Sequence, residues 1–182
     1  MVIASIIVLL LAVNALYVAG EYAVVSMGRA RAQRLVREKR AGARRLLAVK
    51  ADPACLDRTL TACQIGISAS SMILGAYSQT ILVPVLEPLL LIWPGLGLTV
   101  SRSTAVVLTL LFITALQVVL GEQVPKSLAV RNPSRWSLMT ILPLSLSRAL
   151  FSGLITMFGA MAGFLLRILG IHSVAPPPAP PP

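Results

Sequence analysis

Residues 2–27 read VIASIIVLLLAVNALYVAGEYAVVSM, and within them only Glu21 is charged and only Asn14 is an amide. A helix that crosses a bilayer needs about 20 largely apolar residues, so this stretch alone predicts a membrane span. No Lys or Arg precedes it, and the apolar run continues past Ala19 to Met27. A cleaved leader opens with positive charge, so the segment reads as a retained helix.

The same pattern recurs along the chain. Of the 182 residues, 57% are hydrophobic and 12% charged, against roughly 25% charged in a soluble domain. Segments 56–82 and 103–124 read as the second and third spans. The second is the more polar, with Gln64, Ser68, Ser70, Ser71, Ser78 and Gln79. Between these spans Pro84, Pro88, Pro94, Gly95 and Gly97 predict a break, and Trp93 is expected at headgroup level. Pro125-Lys126 is expected to close the third span.

The formal charge of +10 is concentrated rather than spread, with 10 of the 16 basic residues between Arg29 and Arg58. That placement favours a topology-setting cytoplasmic loop over nucleic-acid binding. Leu35, Val36, Leu46, Leu47 and Val49 punctuate the arginines, so residues 29–50 predict a basic amphipathic helix on the membrane surface, where contact with anionic headgroups is natural. Asp52-Pro53 ends it. Arg131 and Arg135 mark the far end of the third span as cytoplasmic too. The loop charges together put the N-terminus outside and residues after Pro125 inside.

Residues 136–171 carry only Arg148 and Arg167 as charges, and Pro143 interrupts their start. They read either as a fourth span or as a helical hairpin that does not cross; charge does not decide between them. Residues 172–182 form a proline-rich tether.

Chemistry is sparse. Cys55 and Cys63 lack metal-ligand spacing, His172 stands alone, and no phosphate-cradling loop, Ser/His/Asp set or nucleotide motif is present, so no enzyme activity is expected. An acid within the hydrocarbon region costs about 2.5–3.5 kcal/mol on insertion scales, which singles out Glu21 and Glu122. The topology places both near the cytoplasmic ends of helices that run inward, at similar depth. They read either as carboxylates paired with a nearby cation, Lys126 lying one turn from Glu122, or as parts of an ion pathway. Gln64, Ser68, Ser71, Gly75 and Ser78 recur at intervals of three and four, which makes one polar, small-residue face. It reads as close helix packing or as a cavity wall. Asn14, Tyr17 and Glu21 share a face of the first span; Thr114, Gln117 and Gly121 share one on the third. Three such stripes offer hard oxygen ligands suited to Mg²⁺, Na⁺ or Ca²⁺.

The motifs carrying these residues resemble a known family. Asn14-Ala-Leu-Tyr-Val-Ala-Gly-Glu21 resembles the first-helix motif of the CorC/cyclin M (CNNM) transmembrane domain. Thr61-Ala-Cys-Gln-Ile-Gly-Ile-Ser68 is similar to the second-helix motif of its bacterial, hemolysin-labelled branch, and Val119-Leu-Gly-Glu-Gln-Val-Pro-Lys126 resembles its third-helix signature. The resemblance implies an all-α integral membrane fold: three transmembrane helices plus a juxtamembrane helical hairpin belt, formed here by 136–171. It implies a homodimer in the cell membrane with its C-terminus cytoplasmic. A cytosolic CBS-type domain is expected after the tether. The family is associated with Mg²⁺ efflux coupled to Na⁺ entry. A membrane-damaging toxin has little support, because nothing in these residues resembles a soluble-to-inserted switch.

By that resemblance Glu122 helps hold the ion, Pro125 marks a break at the inner end, and Glu21 lies near the site. Ser68 and Ser71 hydroxyls, backbone carbonyls near Gly20, and Gln64 complete the expected ligands. Two features depart from the Mg²⁺-transporting pattern. Gly20 stands where relatives carry serine, and Ile67, Ser68 and Ser71 stand where they carry asparagines. A non-transporting module that assembles or regulates a partner is the alternative.

Overall fold

The computed structural model describes residues 2–92 and 97–170, with side chains from residue 4 onward, and all regular structure among them is helical. In chain order these are α1 (Val2–Ser26), α2 (Arg29–Arg37), α3 (Ala43–Ala51), α4 (Pro53–Leu91), α5 (Leu98–Leu116), a π-helical turn (Gln117–Gln123), α6 (Val124–Arg131), α7 (Pro133–Leu150) and α8 (Ser152–Ile168). Trp93, Pro94, Gly95, His172 and the tether lie outside the described residues.

Three stretches are long and apolar enough to cross a bilayer: Ala4–Ser26, Pro53–Leu91 and Leu98–Arg131. The chain is therefore an all-α, multi-pass membrane domain. Cross-contacts fix the directions. Ser70 Oγ meets Asn14 Oδ1 at 2.9 Å and Gln79 Nε2 donates to the Val106 carbonyl at 3.2 Å, while Asn14 Nδ2 donates to the Gly121 carbonyl at 3.2 Å. Lys126 Nζ sits 4.6 Å above the Tyr22 ring. The second span thus runs antiparallel to the other two, which run parallel to each other.

The boundaries differ from the sequence reading in four places. The basic segment 29–50 is two helices, not one. Gly42 adopts φ +78° between them, and a Cβ there would lie 3.0 Å from Ile141 Cγ2, so the close approach of α7 both requires glycine and turns the chain back. The fold-back buries Ala32 and Leu35 of α2 with Leu46 and Val49 of α3 in one cluster with Met27, Cys63 and Leu144. Lys50 Nζ donates to the Val24 carbonyl at 3.1 Å near the end of α1, and burial lowers the pKa of its ammonium group.

The second span starts three residues before position 56 because Asp52 Oδ1 accepts from Ala54 N at 3.0 Å and Pro53 occupies the first turn. It also runs nine residues beyond 82, through Pro84 and Pro88. Both prolines are exposed and four apart, so the carbonyls they leave free lie on one outward face. The third span begins at Leu98 rather than 103 and continues past Pro125 to Arg131 by way of the π-turn. Pro125 sits in the first turn of α6, where its missing N–H is tolerated.

The segment 136–171 resolves into two helices, α7 and α8, which start at Pro133 and meet at Phe151 with a 73° bend. α7 buries Ser137, Thr140, Ile141, Leu144 and Ser147, a stripe at helical spacing, whereas α8 buries only Ile155.

Candidate ion-binding site

The membrane interior of the bundle is held by one buried amide. Asn14 is 2% exposed and tied to both neighbouring spans. Its Nδ2 donates to the Gly121 carbonyl, while its Oδ1 accepts from Ser70 Oγ at 2.9 Å and from Ser71 Oγ at 3.4 Å. The Ser70 hydroxyl also reaches the Gly66 carbonyl at 2.8 Å, so its single proton serves one acceptor at a time. Gln117 Nε2 donates to Ser71 Oγ. Asn14, Ser70, Ser71, Gln117 and Gly121 thus form one polar junction among α1, α4 and the π-turn.

The backbone explains why Gly121 is available. Within an α-helix its carbonyl pairs with the N–H four residues on, and that residue is Pro125, which has none. The π-turn widens the ladder just before it, with Val124 N bonding five residues back to the Val119 carbonyl. Such turns occur often at functional sites. A Cβ on residue 121 would lie 2.8 Å from Asn14 Nδ2, so glycine is needed for the contact.

The expected site residues fall at different places around this junction. Ser71 belongs to it. Glu122 follows Gly121 on the π-turn and is exposed, while Glu21 is half-buried on α1. Because Gly121 meets Asn14 and Lys126 meets Tyr22, Glu122 sits at the level of Asn14. Glu21 lies seven residues further along α1, roughly 10 Å along its axis, so the two acids are not at the same depth. Lys126 lies over the Tyr22 ring, and neither Glu21 nor Glu122 forms an ion pair among the described residues.

Gly20 faces α7: a Cβ there would be 2.8 Å from Leu144 Cδ1 and 3.2 Å from Thr140 Cβ. Gln64 and Ser68 lie on the exposed side of α4, and Gln64 borders a hollow of about 460 Å³ shared with Asp57, Thr61 and Thr156 of α8. The packed face of α4 runs instead through Thr59, Cys63, Gly66, Ser70, Leu74 and Ser78.

Ser70 was not among the residues singled out from the sequence as ligands. Its four-residue spacing from Gly66 and Leu74 is the signal that places it on the packed face. Arg148 is a second unanticipated polar residue: it reaches from α7 to Cys55 Sγ and Thr59 Oγ1 at the start of α4.

Among the described residues no three His, Cys, Asp or Glu side chains gather. The oxygens around the junction are those of one carboxylate, Glu122, and of neutral amide, hydroxyl and carbonyl groups, the hard donor type.

The description "cyclin M transmembrane N-terminal domain" is that of a family model matching residues 5–180. The chain is 30% identical over 165 residues to an uncharacterized protein of Mycobacterium tuberculosis, covering 90% of this chain and 45% of that protein. It is 28% identical over 165 residues to UPF0053 protein YugS of Bacillus subtilis, covering 91% and 38%. It is 31% identical over 166 residues to UPF0053 protein YhdT of the same organism, covering 89% and 34%. The chain thus spans less than half the length of these relatives.

Proposed function

The chain belongs to the cyclin M transmembrane-domain family, and from that premise we propose that it is the membrane part of a transporter that exports Mg²⁺ in exchange for Na⁺. The observation that carries this reading is an unpaired carboxylate, Glu122, on a π-turn whose neighbouring carbonyl, Gly121, is tied to the buried Asn14 amide. In this reading Glu122 supplies the negative charge and Ser71 a hydroxyl oxygen. Mg²⁺ demands near-octahedral oxygen ligation and sheds water reluctantly, so it retains several waters.

Glu21 lies on α1, about 10 Å beyond Asn14 toward the inner end of that helix, and serves the exit path. Gln64 and Ser68 face outward on α4 and take part only after that helix rotates or a second copy of the chain covers them. A homodimer, an outside N-terminus and a cytosolic CBS-type domain after the tether belong to the same proposal.

One observation favours the alternative, a non-transporting module that assembles or regulates a partner. The Asn14 amide oxygen and one of its two N–H groups already have partners within the bundle, so the junction also works as packing. Glu-to-Gln substitution separates the two readings. In proteoliposomes with an outward Mg²⁺ gradient and external Na⁺, transport predicts flux that Glu122→Gln abolishes. Flux absent from wild type, with unchanged assembly in Glu21→Gln and Glu122→Gln, favours the packing role.

A further inference from the structure

We propose that the basic end of the bundle carries a built site for an anionic phospholipid, in the groove between the α2–α3 turn and α7. The groove encloses about 780 Å³. Lys39, Arg40, Arg44 and Arg45 stand along it, and Leu138 and Leu142 of α7 supply apolar lining. All four cations are exposed, and none forms an ion pair among the described residues. Glu38, next to Lys39 in the chain, is already paired with Arg34 at 2.8 Å. The groove therefore has four positive charges held close together and no protein anion to neutralise them.

The cationic rim is held in place by packing. The left-handed Gly42 turn is pressed against Ile141, and Ala43 and Leu46 behind it are buried. The Ala43 N–H bonds back to the Arg40 carbonyl at 3.2 Å, which closes the turn that carries the rim.

What distinguishes a lipid from a soluble anion is the surface leading away from the rim. Met139, Leu142, Leu146 and Leu150 are 58%, 60%, 72% and 76% exposed. Their spacing of three and four puts them on one face of α7. This apolar track runs roughly 16 Å from the groove. A free phosphate uses only the rim, whereas a phosphodiester headgroup with its acyl chain uses rim and track together. Anionic leaflets attract such basic clusters.

The test measures thermal unfolding of the detergent-purified chain during titration with phosphatidylglycerol, phosphatidylcholine of the same acyl chains, and soluble glycerol phosphate. Wild type is compared with Lys39→Gln/Arg44→Gln/Arg45→Gln and with an equal-charge control, Arg29→Gln/Arg58→Gln/Arg131→Gln. The expected result is a saturable rise with phosphatidylglycerol alone, retained in the control and weakened by about tenfold or more in the groove variant. If the groove variant does not fold, Arg44→Lys/Arg45→Lys, which keeps the charge, is compared with Arg44→Gln alone; retention in the former and loss in the latter supports the site. Equal response to both lipids, equal response to glycerol phosphate, or equal loss in the control overturns it.

Discussion

Asn14 Nδ2 donates to the Gly121 carbonyl, the acceptor that Pro125 leaves unserved one turn later. That contact locks the first span to the third at the point where the third changes from α to π geometry. Removing the amide strands the Gly121 carbonyl inside the bundle, while Ser70 keeps the Gly66 carbonyl and Ser71 keeps Gln117. Asn14→Leu is expected to lower stability by about 1–2 kcal/mol. Gly121→Ala is expected to do the same by forcing a methyl group against the amide. Thermal unfolding in detergent measures both, and the double variant is expected to fall short of the sum because both changes break one contact.

Gly66 lies against Tyr17, and a Cβ there would come within 2.5 Å of the ring. The Tyr17 hydroxyl in turn pairs with Ser147 Oγ at 2.8 Å, so the ring cannot swing aside without losing that bond. Gly66→Ala is therefore expected to destabilise by about 1–3 kcal/mol. Tyr17→Leu in the same chain is expected to recover part of the loss, read as a positive coupling in a double-mutant cycle.

Leu144 occupies the space that a side chain at Gly20 would need. Gly20→Ser alone is expected to lower the unfolding temperature. Gly20→Ser/Leu144→Ala makes room for the hydroxyl and is expected to unfold higher than the sum of the two single variants predicts. An additive result would mean that α7 does not dictate the glycine.

The architecture was readable because hydropathy is a long-range signal. Residues 2–27, 56–82 and 103–124 each mark one span, and the π-turn and proline overruns lengthen the second and third. The interior was less readable, since it depends on backbone register. A π-turn has no hydropathy signature, and Pro125 reads as a terminator when only helix interiors are considered. The third span's continuation past Pro125 to Arg131 also separates the two acids, leaving Glu122 level with Asn14 while Glu21 lies two turns further on.

The second span shows a related effect. Its polar stripe suggested Gln64, Ser68 and Ser71 as one wall. The face that packs is chosen instead by where Tyr17 and Asn14 need small partners, namely Gly66 and Ser70. Glycine and serine score as weakly apolar in any periodicity, so sequence could not rank the two faces. The turn at Gly42 was hidden for a similar reason, because the partner that requires it, Ile141, lies nearly a hundred residues away.

The central claim is that the junction beside Glu122 binds a hard cation. Its most direct test is the unfolding temperature of the purified chain titrated with Mg²⁺, Ca²⁺ and Na⁺, in wild type and Glu122→Gln. A ligand that binds only the folded state raises stability by about 2.7 kcal/mol at a hundred times its dissociation constant. The account predicts a saturable rise with Mg²⁺ in wild type that Glu122→Gln abolishes. A rise of the same size and midpoint in Glu122→Gln, or no ion-specific rise in wild type, contradicts it.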